Sequence, residues 1–142
     1  MLPVIIAYQT PTETAALKHC VELAGCTAKP VATLNEAIDV LRKEDAAIML
    51  LGKTFEGSSA LDVIPIFRYL HKQLKIILLA DDATVSFLRQ ARAAGIFYHA
   101  IEPHDEEDCR ELQLALECAR EASEKQGKSL WKKLAPVFCG AN

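Results

Sequence analysis

The side chains of this chain that could do chemistry stand directly after its apolar runs. Val4-Ile5-Ile6-Ala7 leads into Tyr8-Gln9-Thr10-Pro11-Thr12-Glu13-Thr14, a segment rich in hydroxyls. Ala46-Ala47-Ile48-Met49-Leu50-Leu51 ends on Gly52 and Lys53, the run to Ala80 is followed by Asp81 and Asp82, and Phe97 to Ile101, which carries His99, is followed by Glu102 and Pro103. Asp81 and Asp82 could supply a cation site, but Asp82 reads more economically as the N-cap of a helix starting at Ala83. His99, flanked by apolar residues, reads as a packed or interface histidine before a ligand, with a pH sensor as the sharper alternative. No Ser/His/Asp set, nucleophile elbow, paired-carboxylate motif or Walker loop occurs, so an enzyme is not expected. Cys20, Cys26, Cys109, Cys118 and Cys139 form neither a CxxC nor a metal-like spacing, and their odd number predicts reduced thiols in place of a disulfide framework.

The elements that must position these residues alternate in type. Val4–Ala7, Lys29–Ala32, Ala47–Leu51, Lys75–Ala80 and Phe97–Ile101 read as short strands, mostly apolar without alternation, the pattern of strands covered on both faces. Between them lie predicted helices: Thr12–Ala24, with Ala15, Ala16, Cys20, Leu23 and Ala24 on one face and Gly25 at its end; Asn35–Lys43; a helix capped by Ser59 and weakened or kinked by Pro65; and Ala83–Ala94, closed by Gly95. A last helix opens at Asp105 with Glu106, Glu107 and Asp108, acids suited to a helix N-terminus, and continues through Leu112, Leu116 and Ala119. Five strand-helix repeats imply an α/β fold: a flavodoxin-like, doubly wound five-stranded parallel sheet with strand order 2-1-3-4-5. Ligands of such sheets gather at the carboxyl ends of the strands, which is where the residues named above fall.

With 142 residues, 51% of them hydrophobic and 25% charged, the chain has room for one domain. Its net charge of -3 and the absence of a Lys/Arg cluster outside the C-terminal tail argue against nucleic acid as a partner. Met1-Leu2-Pro3-Val4 has no basic leader region, and apolar runs of about six residues are too short to span a bilayer, so a cytosolic protein without stable membrane insertion is expected.

On the length and glycine positions of Gly52-Lys53-Thr54-Phe55-Glu56-Gly57-Ser58-Ser59-Ala60-Leu61, and of Ala80 through Gly95 to Pro103, the chain resembles the receiver (CheY-like) domain of two-component response regulators. The resemblance covers about residues 2–122. It implies a signalling module, and it also implies which residues are missing. The acidic pair that holds magnesium in the family is matched by the region Ala7-Tyr8-Gln9, the phosphoacceptor aspartate by Gly52, the Ser/Thr by Ala80, the lysine by Glu102, and the aromatic switch residue by His99. Tyr8, Gln9, Lys53, Ala80, Asp81, Glu102 and Pro103 thus outline a degenerate pocket. Without anionic oxygens it should hold magnesium poorly, and without metal and lysine nothing stabilises phosphoryl transfer. Neither metal nor cofactor is expected, and the chain resembles a pseudo-receiver. Lys53 could pair with Glu102, restoring the family's ion pair with its charges exchanged; two solvated charges of little consequence are the plainer alternative.

The resemblance leaves surfaces as the working parts. The family docks or dimerises through its fourth helix, fifth strand and fifth helix, which here carry Phe87, Gln90, Ala91, Tyr98, Ala100, Leu114 and Glu117; the partner would be a protein of a signalling pathway, a histidine kinase or an effector, or a second copy. Residues 123–142 form a polar linker, Glu124 to Ser129, and an amphipathic tail in which Trp131, Leu134 and Phe138 would anchor a docked partner, a flexible or folded-back end being the plainer reading. One alternative keeps phosphorylation, at an unconventional acceptor. Another starts from the hydroxyls after the first strand, where flavodoxins cradle FMN, and makes the protein a small electron carrier. Against that, the loop has no glycine to bring amides to a phosphate, Glu13 would repel one, and no aromatic pair follows the third or fourth strand.

Overall fold

A computed structural model describes residues 2–8, 11–43 and 46–139, with residues 11 and 125–139 as backbone alone. The chain runs β1 (Pro3–Ala7), α1 (Pro11–Leu23), β2 (Thr27–Val31), α2 (Leu34–Lys43), β3 (Ile48–Gly52), β4 (Thr54–Phe55), β5 (Ser58–Ser59), α3 (Ala60–Leu70), β6 (Lys75–Leu79), α4 (Val85–Ala94), β7 (Tyr98–Ala100) and α5 (Glu106–Cys139). β2-β1-β3-β6-β7 form one sheet, in which all neighbours are parallel. Counting its strands alone, this is the expected order 2-1-3-4-5.

Alternate residues of the central strands feed two opposite cores, as the two-residue period of a strand requires. Val4, Ile6, Ile48, Leu50, Ile77 and Leu79 pack under α1 and α5, against Leu17, Val21, Leu112 and Leu116. Ile5, Ala7, Met49, Leu51, Ile76 and Leu78 face the other way, toward Ala37, Val63, Ile64, Phe67 and Ala91. Every residue of β3 and β6 is buried, Lys75 included, and Ile48–Leu51 and Ile76–Leu79 accordingly read as unbroken apolar runs.

Several local expectations change. The buried face of α1 is Leu17, Cys20 and Val21, with Ala24 packed beside it, whereas Ala15, Ala16 and Leu23 are exposed; the 17-20-21-24 spacing is the better helical stripe. α3 is capped by Ser59, as expected, and runs through Pro65, which lies exposed. The cap of α4 is Thr84, whose Oγ1 accepts from Phe87 N at 3.1 Å, and not Asp82, which stands too far upstream once the helix begins at Val85. A small hairpin between β3 and α3 was not anticipated. Its turn residues Glu56 and Gly57 both have positive φ, 52° and 78°, the signature of a two-residue primed turn. Glu56 is held there by its carboxylate, which accepts from Leu34 N at 2.7 Å. Glu124–Ser129, expected as a linker, is helical within α5; Glu, Lys and Gln are good helix formers and one internal glycine costs only about 1 kcal/mol.

The expectation of reduced thiols is also corrected. Cys20 of α1 and Cys109 of α5 form a disulfide across 89 residues of sequence, with Cα atoms 5.6 Å apart, within the ordinary range for a bridge. Pairing depends on α1 packing beside α5, which no local spacing encodes. Cys26 and Cys118 are free, and burial pushes the Cys26 thiol pKa up. No helix among the described residues is long and apolar enough to cross a membrane.

Candidate functional site

The carboxyl ends of β1, β3, β6 and β7 bring Tyr8, Gly52, Ala80 and Glu102 to one edge. Gly52 is buried at the end of β3. A Cβ on it would stand 3.0 Å from Tyr8 Cε2, 3.2 Å from Tyr8 Cδ2 and 3.3 Å from the Thr54 carbonyl oxygen. The Tyr8 ring therefore occupies the space into which a side chain at position 52 would project. It is 9% exposed, and its hydroxyl donates to Glu102 Oε1. The ring fills the hollow over Gly52, and its one polar atom is satisfied by Glu102.

Glu102 belongs to a second cluster. Its backbone N–H donates to Asp81 Oδ1 at 2.7 Å, while Asp81 Oδ2 lies 2.6 Å from His104 Nε2, which donates when protonated there. The His104 backbone N–H donates in turn to Asp108 Oδ2 at 3.1 Å, and Asp105 caps α5 by accepting from Asp108 N at 2.8 Å. The hydrogen bond with Asp81, then its charge, raises the His104 pKa; the bond from His104, then the Glu102 N–H, lowers that of Asp81. The signs follow. His104 stabilises the fold fully below its ordinary 6.5 and stops doing so as pH rises through its raised folded value; Asp81 stabilises it above its ordinary 3.8 and stops as pH falls through its lowered one. The pair thus contributes most between pH 3.8 and 6.5. A proton NMR titration should place the His104 midpoint above 6.5 and return it toward that value in Asp81→Asn; an unchanged midpoint would contradict the pairing.

Lys53 does not reach Glu102. Its Nζ lies 3.9 Å from Asp82 Oδ1 and 5.6 Å from the centre of the Phe87 ring, a solvated contact worth at most about 1 kcal/mol. The expected exchange of charges fails because Tyr8 already holds Glu102, and Lys53 leaves the loop toward α4. His99 is a packed histidine: its Nε2 stands 2.8 Å from the Ala80 carbonyl oxygen, which can only accept, so the proton sits on Nε2. His104 was not among the expected site residues; it stands two residues beyond Glu102 and reaches the cluster only through the fold of the loop before α5. Gln9 lies outside the described residues.

Of the surface residues, Gln90 and Glu117 are exposed, and Tyr98 is 50% and Leu114 55% exposed. Phe87 and Ala100 are partly buried against the two cores. Ala91 is corrected: it is fully buried, on the inner side of α4. Trp131, Leu134 and Phe138 lie on the helical backbone of α5, their side chains outside the described residues.

The sheet order, the alternation of helices and the loop lengths at this edge define the fold of CheY-like receiver domains. The chain is similar in structure to a CheY-like response regulator receiver domain protein from Methanospirillum hungatei, with a TM-score of 0.74 at 18% identity over 91% of this chain and 98% of that one. The signal receiver domain of an HD domain-containing protein from Pseudomonas fluorescens gives 0.79 at 16%, over 89% and 92%. The beryllofluoride-activated NtrC4 receiver domain dimer gives 0.76 at 17%, over 87% and 99%. No family model matches the chain, and no curated protein does.

Proposed function

We propose that this chain is a receiver-like signalling protein of the cytosol, without enzymatic activity, that acts by binding other proteins and does not accept a phosphoryl group. The observation that carries the reading is the seat of the Tyr8 ring over Gly52 with its hydroxyl on Glu102. Acceptor, hydroxyl and cation are replaced by Gly52, Ala80 and Glu102, and the remaining space is filled by an aromatic ring. Phosphoryl transfer needs a nucleophile in line and positive charge to stabilise the transferred group, and neither is supplied at this position. Incubation with acetyl phosphate and magnesium, followed by intact mass, should show no added phosphoryl group. One stoichiometric addition would overturn the reading, and loss of that addition in Asp81→Asn would name the unconventional acceptor.

The face built by α4, β7 and α5 is the surface proposed for partners, a kinase, an effector or a second copy, through Gln90, Tyr98, Leu114 and Glu117. The related NtrC4 receiver domain was solved as a dimer. Leu114→Lys, an exposed change expected to alter stability by no more than about 0.5 kcal/mol, should lower the mass of any self-associated species in sedimentation. An associated species that survives both this change and Tyr98→Lys would move the interface elsewhere. In the cytosol the Cys20–Cys109 pair would be held as thiols by the glutathione pool. Alkylation in intact cells before lysis therefore tests the compartment: blocked cysteines at both positions support the cytosol, and a retained bridge argues for an oxidising one.

A further inference from the structure

Asp81, Glu102 and His104 offer three metal-binding atoms that all lie within 4.8 Å of one another. They come from two loops, one after β6 and one after β7, and converge because β6 and β7 are hydrogen-bonded neighbours. An ion with bonds of about 2.0–2.2 Å to nitrogen and oxygen holds its ligands roughly 3–4 Å from one another, so its entry would open the 2.6 Å contact between His104 and Asp81 and replace that hydrogen bond. Two carboxylates without a basic partner other than the imidazole make the location anionic; among the described residues no lysine or arginine pairs with Asp81 or Glu102, Lys53 being turned to Asp82. Both carboxylates are also oriented from behind. The Tyr8 hydroxyl holds Glu102 and the Glu102 N–H holds Asp81, the outer contacts that fix ligand direction in metal sites. Outside the cluster, a cleft of about 250 Å³ lined by Tyr8, Thr12, Glu13, Glu102 and His104 gives access to two of the three donors and room for water.

We propose that Asp81, Glu102 and His104 form a site for a divalent transition metal of the zinc class, with water completing its coordination. An imidazole with two carboxylates suits zinc, cobalt or manganese, whereas magnesium and calcium favour sets made wholly of oxygen. The location uses none of the positions that the receiver resemblance assigns to magnesium, and it stands apart from the phosphorylation-independent reading except at Asp81: phosphorylation at any other residue of the edge would leave the three donors in place.

The test uses the untagged full chain. Titration with cobalt(II) should give d–d absorption bands that saturate at one equivalent, and zinc(II) should displace the cobalt while a large excess of magnesium does not. His104→Ala should weaken cobalt binding about tenfold or more, and so should Glu102→Gln, which keeps the shape of the side chain. Circular dichroism melts of both variants confirm that they fold. No saturable binding in the folded protein, full affinity in both variants, or thiolate charge-transfer bands that disappear in Cys118→Ser would each overturn the assignment.

Discussion

Gly52→Asp is expected to give a protein that is less stable by about 1–3 kcal/mol and still silent toward a phosphodonor. The new Cβ would stand 3.0 Å from Tyr8 Cε2, and a carboxylate beyond it has no room without displacing the ring. A carboxylate placed at this position is therefore expected to leave the protein unphosphorylated. Tyr8→Ala alone removes a nearly buried ring and should cost about 3–5 kcal/mol, while leaving Glu102 without its donor. The two changes are coupled. In the double variant the aspartate enters the space the ring has left, so the combined loss should fall short of the sum of the two single losses. Urea melts of the four proteins measure this directly, and strict additivity would show that Tyr8 and Gly52 do not share one space.

Removal of the Cys20–Cys109 bridge is the second large effect. The bond closes a loop over a sequence separation of 89 residues, and such a cross-link restricts the unfolded chain far more than it alters the native one. Double replacement by serine, or reduction, should lower stability by about 2–5 kcal/mol. For a domain of this size that is on the order of 10 °C in the thermal midpoint. The contacts of Leu17, Val21, Leu112 and Leu116 between α1, α5 and the sheet remain, so the reduced protein should fold to the same secondary structure. Equal midpoints with and without reductant, with both cysteines alkylated in the untreated native protein, would exclude the bond.

The fold was legible because its signals are local. Ile48 to Leu51 and Ile76 to Leu79 are apolar at every position, as only strands covered on both faces can be, and Ser59 and Asp105 sit at the starts of the helices they cap. The edge was legible as a set of positions, since every parallel sheet of this kind gathers its loops at the carboxyl ends. The pairings across that edge were not. Whether Glu102 meets Lys53 or Tyr8 depends on which side chain first fills the hollow over Gly52, and that is a matter of volume between loops 94 residues apart. The disulfide, the Asp81–His104 contact and the burial of Ala91 have the same origin in packing. The Thr84 cap was locally encoded, but it competed with Asp82 two residues upstream and won by reaching the Phe87 N–H.

The bond from His99 to the Ala80 carbonyl fastens the loop after β6 to the strand beside it. The ring at 99 is anchored inward, while its neighbours Tyr98 and Ala100 lie on the strand at the edge of the sheet. Breaking the side-chain bond would cost about 0.5–1.5 kcal/mol. Loss of that bond alone would still leave the Ala80 loop fastened to the edge strand, because the Ala80 N–H donates to the Ala100 carbonyl at 3.1 Å and Asp81 accepts from the Glu102 N–H at 2.7 Å.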